Sequence, residues 1–288
     1  MKKIFSIISL AVLTIGLLGS CKKDETEPEP TQTVTDGALD GFVDLGVTNK
    51  DGEPLYWAEK NLGATNPEDC GDYFAWGETS PYYTTTGGWP ETPIWKTGKE
   101  SGYDMQSYCG DSSFVEWSNP PYDITTKVLK PDFDAATAKN AKWRTPTSAD
   151  FIALAAGCVW IWTDDYENTG KAGYIVYKAK NDEDKGKAKF ENSWEKWDAA
   201  KLNYSGNGAS EATGYTTSDV HIFLPITGLA FGTELYKDEV YYMSSTLCQE
   251  EEEGYSYFLH FSKTFVYPQT YPDFPSRCLG ITIRPVTE

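Results

Sequence analysis

Hydrophobic and polar positions divide the chain into three zones. Ile4 to Leu18 is an almost unbroken apolar run behind Met1-Lys2-Lys3. It is shorter than the roughly 20 apolar residues that a membrane-crossing helix needs. A short basic start followed by such a run fits an export signal over residues 1–20. Asp24 to Asp36 carries Glu-Pro-Glu-Pro, Thr and Gln without any period, so residues 21–40 read as a flexible stalk. From Gly41 onward short apolar runs alternate with turn residues, and one folded domain over residues 41–288 is expected.

Within that domain, Phe42 to Gly46 and Leu55 to Ala58 predict two strands, joined by a hairpin turn at Asn49-Lys50-Asp51-Gly52. Residues 79–122 are rich in Pro, Gly, Ser, Thr, Tyr and Trp, show no period, and predict a long ordered loop. Asp134 to Ala138 predicts a short helix. Thr147-Ser148-Ala149-Asp150 has the form of a capping box, in which hydroxyl and carboxylate each satisfy one orphan amide. Phe151, Leu154 and Ala155 then give a helix its apolar face, and Gly157 stops it. Strands are expected at Cys158–Trp162, Gly173–Tyr177, His221–Pro225, Val240–Met243, Tyr255–Phe261 and Gly280–Pro285. Few helices and many later strands define an α+β fold with a mostly antiparallel sheet.

Composition adds two constraints. Hydrophobic residues make up 40% and aromatics 15%, enough for a real core. The 25 Lys and Arg face 43 Asp and Glu; losing Lys2 and Lys3 with the signal leaves 23 basic residues and a net charge near -20. A field of that sign repels phosphate backbones, which excludes nucleic acid as a natural partner.

Leu18-Gly19-Ser20-Cys21 resembles the lipobox of bacterial lipoproteins. The small residues suit a protease cleft, and the Cys21 thiol is the nucleophile that takes lipid. The competing reading is an ordinary signal peptide followed by an incidental cysteine. Each buried methylene contributes about 0.8 kcal/mol, so two or more acyl chains hold a protein to a membrane. Lys22-Lys23-Asp24-Glu25 resembles the signal that sends lipoproteins of Bacteroidota to the outer face of the outer membrane; a plain charged tether is the alternative. Cys70, Cys109, Cys158, Cys248 and Cys278 remain, an odd number, so at least one stays unpaired within the chain. Without a Cys-x-x-Cys or Cys/His cluster, structural zinc is not expected.

Several segments in order resemble one family, the Fibrobacter succinogenes major paralogous domain. They are Val43 to Gly46, Trp57-Ala58 with Asn61 to Ala64, Pro67 to Glu78, Asp134 to Ala136, Trp143 to Thr147, Ile222 to Pro225 and Arg277 to Val286. The resemblance implies a C-type-lectin-like fold: a twisted antiparallel sheet, two short helices and long loops above it. It fixes no ligand, because function lives in the site. Residues 180–219 depart from the pattern as a polar, Trp-containing insertion. The Glu-Pro-Asn and Gln-Pro-Asp motifs of calcium-dependent lectins are missing, so calcium-mediated sugar binding lacks support, and the sequence names no cofactor.

The residues offer no convincing catalytic set. Trp143-Arg144-Thr145-Pro146 reads as architecture, with Pro-Thr launching a helix. Arg284 reads as a paired internal arginine on a terminal strand, alternating with Ile281 and Ile283. His221 and His260 sit in apolar strands and read as hydrogen-bonded sheet residues. Asp69, Asp72 and Glu78 read as turn residues, and Glu250 to Glu253 as a solvated hairpin loop. Aromatics are the functional lead, since Trp and Tyr give rigid contact area at low entropic cost. The candidates are Trp89, Trp95 and Trp117 in the long loop and Tyr255, Tyr257, Tyr267, Tyr271 and Phe274 in the late hairpin region. Trp160 and Trp162 are expected to cover one face of their strand.

Three functions fit these features. A surface module binding glycan, glycoprotein or protein draws on the lipobox and the loop aromatics. A structural subunit of an outer-surface assembly shares both. A glycan-directed hydrolase would need two carboxylates held across a cleft, which sequence spacing cannot reveal.

Overall fold

Strands β1 (Phe42–Thr48) and β2 (Pro54–Ala58) form the expected hairpin. Asn49 closes its turn: the side-chain oxygen accepts from the Asp51 and Glu53 amides at 2.9 and 3.0 Å. Gly52 supplies the left-handed step at φ +84°. The structure, a computed structural model, describes residues 39–81, 83–84, 120–206, 208–231, 234–236, 240–248, 255–271 and 277–288. The proposed signal, Cys21, nearly all of the stalk, Cys109 and the Glu250 to Glu253 run lie outside these residues.

The architecture is mostly β, with two short α-helices among the described residues. Helix α1 (Ala135–Lys139) starts where the Asp134 carboxylate accepts from the Ala136 amide at 2.9 Å. Helix α2 (Ser148–Gly157) carries the full capping box between Thr147 and Asp150. Its Phe151, Leu154 and Ala155 are completely buried. Arg144 locks this end of the fold, because its guanidinium bonds Asp150 at 2.6 Å and Glu288 at 2.5 Å. Burial opposes the Arg144 charge, but those two carboxylates outweigh it and raise its pKa. Arg144 is therefore a structural clamp, as the residue types around it imply.

Strands β3 (Asp72–Phe74), β4 (Tyr83–Thr84), β13 (Val240–Leu247), β14 (Ser256–Ser262), β15 (Phe265–Thr270) and β16 (Ile281–Thr282) form one six-stranded sheet, ordered β15-β14-β13-β16-β3-β4. Pro268 lies in edge strand β15, where the register with β14 slips between the Phe258 and His260 pairs. A second six-stranded sheet runs β10-β6-β5-β7-β8-β9. It contains β5 (Cys158–Thr163), β6 (Gly173–Lys178), β7 (Lys187–Lys189), β8 (Trp194–Asp198), β9 (Asn203–Ser205) and β10 (His221–Pro225). A small hairpin, β11 (Leu229–Phe231) and β12 (Glu234–Tyr236), and a three-stranded sheet complete the set. In the latter, β17 (Val286–Thr287) lies beside β2, so the chain's end closes on its first hairpin.

Pairing is mostly antiparallel, as expected, but the strands form several sheets instead of one, and two pairings, β5 with β7 and β13 with β16, are parallel. The polar stretch over 180–219 adds three strands to the second sheet. It is tied down by Asp184, which accepts from Lys187, Asn181 and Tyr215 at 3.0–3.1 Å. The terminal strand expected over Gly280–Pro285 is broken into β16 and β17, with Ile283, Arg284 and Pro285 between them. There Arg284 is fully buried. It donates to Asn61 Oδ1 at 2.8 Å, to the Ala58 carbonyl at 3.1 Å and to the Phe223 carbonyl at 2.6 Å, with the Glu59 carbonyl as a further partner. Leaving the strand lets the guanidinium join the loop after β2 and strand β10 to its own C-terminal segment.

Burial of apolar rings fills the space between these layers. Trp57, Phe151, Trp160, Tyr174, Tyr242 and Phe261 belong to a core packed around α2 and both large sheets. Trp162 packs on the same core, as expected of a residue two positions along the strand from Trp160. Phe74, Trp76, Phe258 and Ile281 anchor a second core next to α1. Cys70, Cys158 and Cys248 are buried free thiols, and burial pushes the Cys70 pKa up to about 11.

Candidate binding surfaces

Two features stand out on the described surface: an aromatic strip on the β13–β15 meander and a groove beside α1. The strip follows from strand alternation. Tyr241 pairs with His260, and His260 pairs with Tyr267, so all three point to one face. Tyr241 and His260 stack with ring centres 4.3 Å apart. Phe265 meets His260 edge-on at 4.9 Å and stacks with Tyr267 at 4.8 Å. Tyr241 is buried at one end, and Tyr267 is 36% exposed at the other. The row thus runs from the core to solvent.

Four of the eight aromatics singled out in the sequence lie among the described residues. Tyr255 and Tyr257 each meet Tyr271, at 6.0 and 6.2 Å, in a separate cluster from Tyr267. Tyr257 differs from the exposed position expected of it. It is only 5% exposed, because its strand is covered on both faces, and it supports its neighbours instead of facing a ligand. Trp89, Trp95, Trp117 and Phe274 lie outside the described residues. Sequence reasoning passed over Phe265, although its alternation with Tyr267 in Phe-Val-Tyr-Pro was a usable signal that both rings share one face.

The groove is assembled from stretches far apart in sequence. One hollow of about 520 Å³ lies between Asp40 to Phe42, the loop Ala58 to Ala64, and Lys139 with Trp143. A second, about 330 Å³, shares Leu62, Gly63 and Lys139 with it and continues toward Asp72, Phe74 and Pro81. Gly63 is required at the junction: its φ is +82°, and a Cβ there would meet the Asp72 carboxylate at 2.4 Å. Trp143 is held by its own backbone, donating to the Asn140 carbonyl at 2.9 Å and accepting from the Thr137 hydroxyl at 2.9 Å. Its ring meets Phe42 at 5.3 Å. Its indole N–H is buried and has no hydrogen-bond partner.

A smaller hollow of about 260 Å³ exposes His221 beside Tyr166, Phe223 and Glu59. His221 Nδ1 faces the Asp219 carbonyl at 2.8 Å, so that nitrogen carries the proton, and Nε2 accepts from the Tyr166 hydroxyl at 3.0 Å. Tyr166 stacks flat on Phe223 at 4.0 Å. Burial, aided by Glu167 and Glu68, pushes the Tyr166 pKa up to about 12, so the phenol stays protonated as a donor. His221 is thus a hydrogen-bonded sheet residue, and the arrangement orders the loop that carries Tyr166.

Among the described residues, no group of three or more His, Cys, Asp or Glu side chains is placed to hold a metal ion. No described helix is long and apolar enough to cross a membrane. In comparisons with known proteins, no family model matches the chain, and neither a curated protein nor a solved structure does.

Proposed function

We propose that this chain is a cell-surface lipoprotein, anchored through lipid on Cys21, whose folded part is a binding module for glycan, glycoprotein or protein ligands. The observation that carries the reading is the continuous ring row from Tyr241 through His260 and Phe265 to Tyr267, rigid at its base and open to solvent at its tip. Preordered aromatic rings lose little entropy on contact, which favours association. Phe231 and Tyr236, on the β11–β12 hairpin, are also exposed rings.

The reading includes a C-type-lectin-like arrangement of the Fibrobacter major paralogous type, located on the outer face of the outer membrane. Two short helices with predominantly antiparallel sheets support it, together with the lipobox-like Leu18 to Cys21 segment and the ordered motif set. The full chain in detergent micelles, screened on glycan arrays and against surface-protein extracts, tests the binding. A specific ligand whose retention falls about tenfold in a Phe265→Ala, Tyr267→Ala double variant is the expected result. Uniformly negative screens with folded protein, or capture indifferent to both rings, would remove the proposal's basis.

A further inference from the structure

The groove beside α1 has a charge pattern that the aromatic strip lacks. Asp40, Glu59, Lys60 and Lys139 all line its larger hollow. Among the described residues their side chains form no hydrogen bond or ion pair, although both signs occur within one cavity. The indole N–H of Trp143 is a buried donor with no partner among the described residues. Unpaired buried donors are uncommon in folded proteins, and each marks a place where a partner is missing.

From this we infer that the groove is a binding site for a neutral oligosaccharide, several sugar units long, that needs no metal. An anionic ligand would meet Asp40, Glu59 and Asp72; a cationic one would meet Lys60 and Lys139. Hydroxyl groups donate and accept, so an uncharged polyol satisfies both carboxylates and ammonium groups without a net charge mismatch. Phe42 and Trp143 form the apolar wall against which the C–H face of a sugar ring packs. Because the two hollows share Leu62, Gly63 and Lys139, they adjoin and together offer an elongated surface suited to a chain more than to one enclosed molecule.

A peptide is the main competitor for such a channel. Extended peptides draw much of their affinity from pairing with a free strand edge. Here, among the described residues, the strand residues on the wall of the larger hollow are Phe42 and Ala58, which already pair with each other. What remains for a ligand is side chains and an indole, which favours the saccharide. The inference rests on the proposed binding role only for its setting outside the cell; the site is separate from the Tyr267 row.

Titration of the full chain in detergent with neutral hexasaccharides of glucose, xylose and mannose, by calorimetry and by indole N–H resonances, tests it. At least one should bind with a dissociation constant below about 1 mM and shift the Trp143 resonance, assigned through Trp143→Phe. Lys139→Gln and Glu59→Gln should each weaken that binding by about tenfold, with melting curves unchanged. In the Phe265→Ala, Tyr267→Ala variant the shift of the Trp143 resonance should persist at the same saccharide concentrations. Four results would overturn the inference. These are no binding by folded protein, binding insensitive to the groove substitutions, dependence on Tyr267 alone, or tighter occupancy of the groove by a mixed-charge hexapeptide. Dependence on Tyr267 alone would leave the aromatic-strip proposal standing, so the two readings fail separately.

Discussion

The guanidinium of Arg284 bonds the side-chain oxygen of Asn61 at 2.8 Å across 223 positions of sequence. Among the described residues no carboxylate forms a salt bridge with it. Backbone carbonyls of Ala58, Glu59 and Phe223 take its other donors, and burial lowers its pKa. The residue ties the loop after β2, the edge strand β10 and the C-terminal segment to one planar group. Its geometric fork is what a lysine lacks.

Removing this tie leaves several buried acceptors unsatisfied at once. Arg284→Met is expected to destabilise the fold by about 3 kcal/mol or more, and Asn61→Ala by about 1–3 kcal/mol. In urea unfolding the double variant should lose less than the two single losses combined, because both act on one network. Strict additivity would show that the bond carries no coupling.

The start of α2 gives a graded pair. Thr147→Ala loses one capping partner and should cost about 1 kcal/mol. Asp150→Ala strips the Thr147 amide and hydroxyl and the Arg144 guanidinium of the same oxygen, at 2.6–2.8 Å. Its loss should exceed that of Thr147→Ala by at least about 1 kcal/mol in the same urea titration.

Two glycines with nearly the same φ should respond differently. Gly52 and Gly63 have φ of +84° and +82°, but a Cβ at Gly52 meets nothing within 4 Å, whereas one at Gly63 enters the Asp72 carboxylate. Gly52→Ala is expected to cost about 1–2 kcal/mol for the left-handed backbone alone. Gly63→Ala adds a steric clash and should lower the melting temperature distinctly further.

Acid should loosen the attachment of β6 and the insertion. Asp44 is bonded by Lys178, and Asp219 by Lys180, each at 2.8 Å. Burial alone would raise both carboxyl pKa values, but the lysine and backbone hydrogen bonds outweigh it and lower them. A carboxylate whose folded pKa is depressed contributes stability above its unfolded value, about 3.9, and loses it as pH falls through the folded value. Unfolding midpoints should therefore drop below about pH 4, and Lys178→Met, Lys180→Met should flatten that part of the profile. An unchanged slope in the double variant would assign the acid sensitivity to other groups.

Local signals carried much of the fold. The Asn49 to Gly52 turn, the Thr147 and Asp150 box and the Trp160 and Trp162 alternation were legible because each depends on residues within a few positions. Strand β8 was not. Trp194 packs on one face of its sheet and Trp197 on the opposite core, so both faces are covered and no polar alternation survives to mark it. The break between β16 and β17 was equally hidden, since Ile283 and Arg284 are both buried. The groove was illegible for another reason. Asp40, Lys60, Lys139 and Trp143 come from separate stretches, and only the closing of β1 on β2 and the placement of α1 make them neighbours.

Pro268 bears on how copies of the protein behave when crowded. An outer strand offers its amides to any passing strand, and identical chains held close together are the partners most often met. A proline has no amide hydrogen to offer, and the slipped register around it interrupts the spacing a partner would have to match. Strand-to-strand pairing of identical chains along this margin of the sheet is therefore disfavoured.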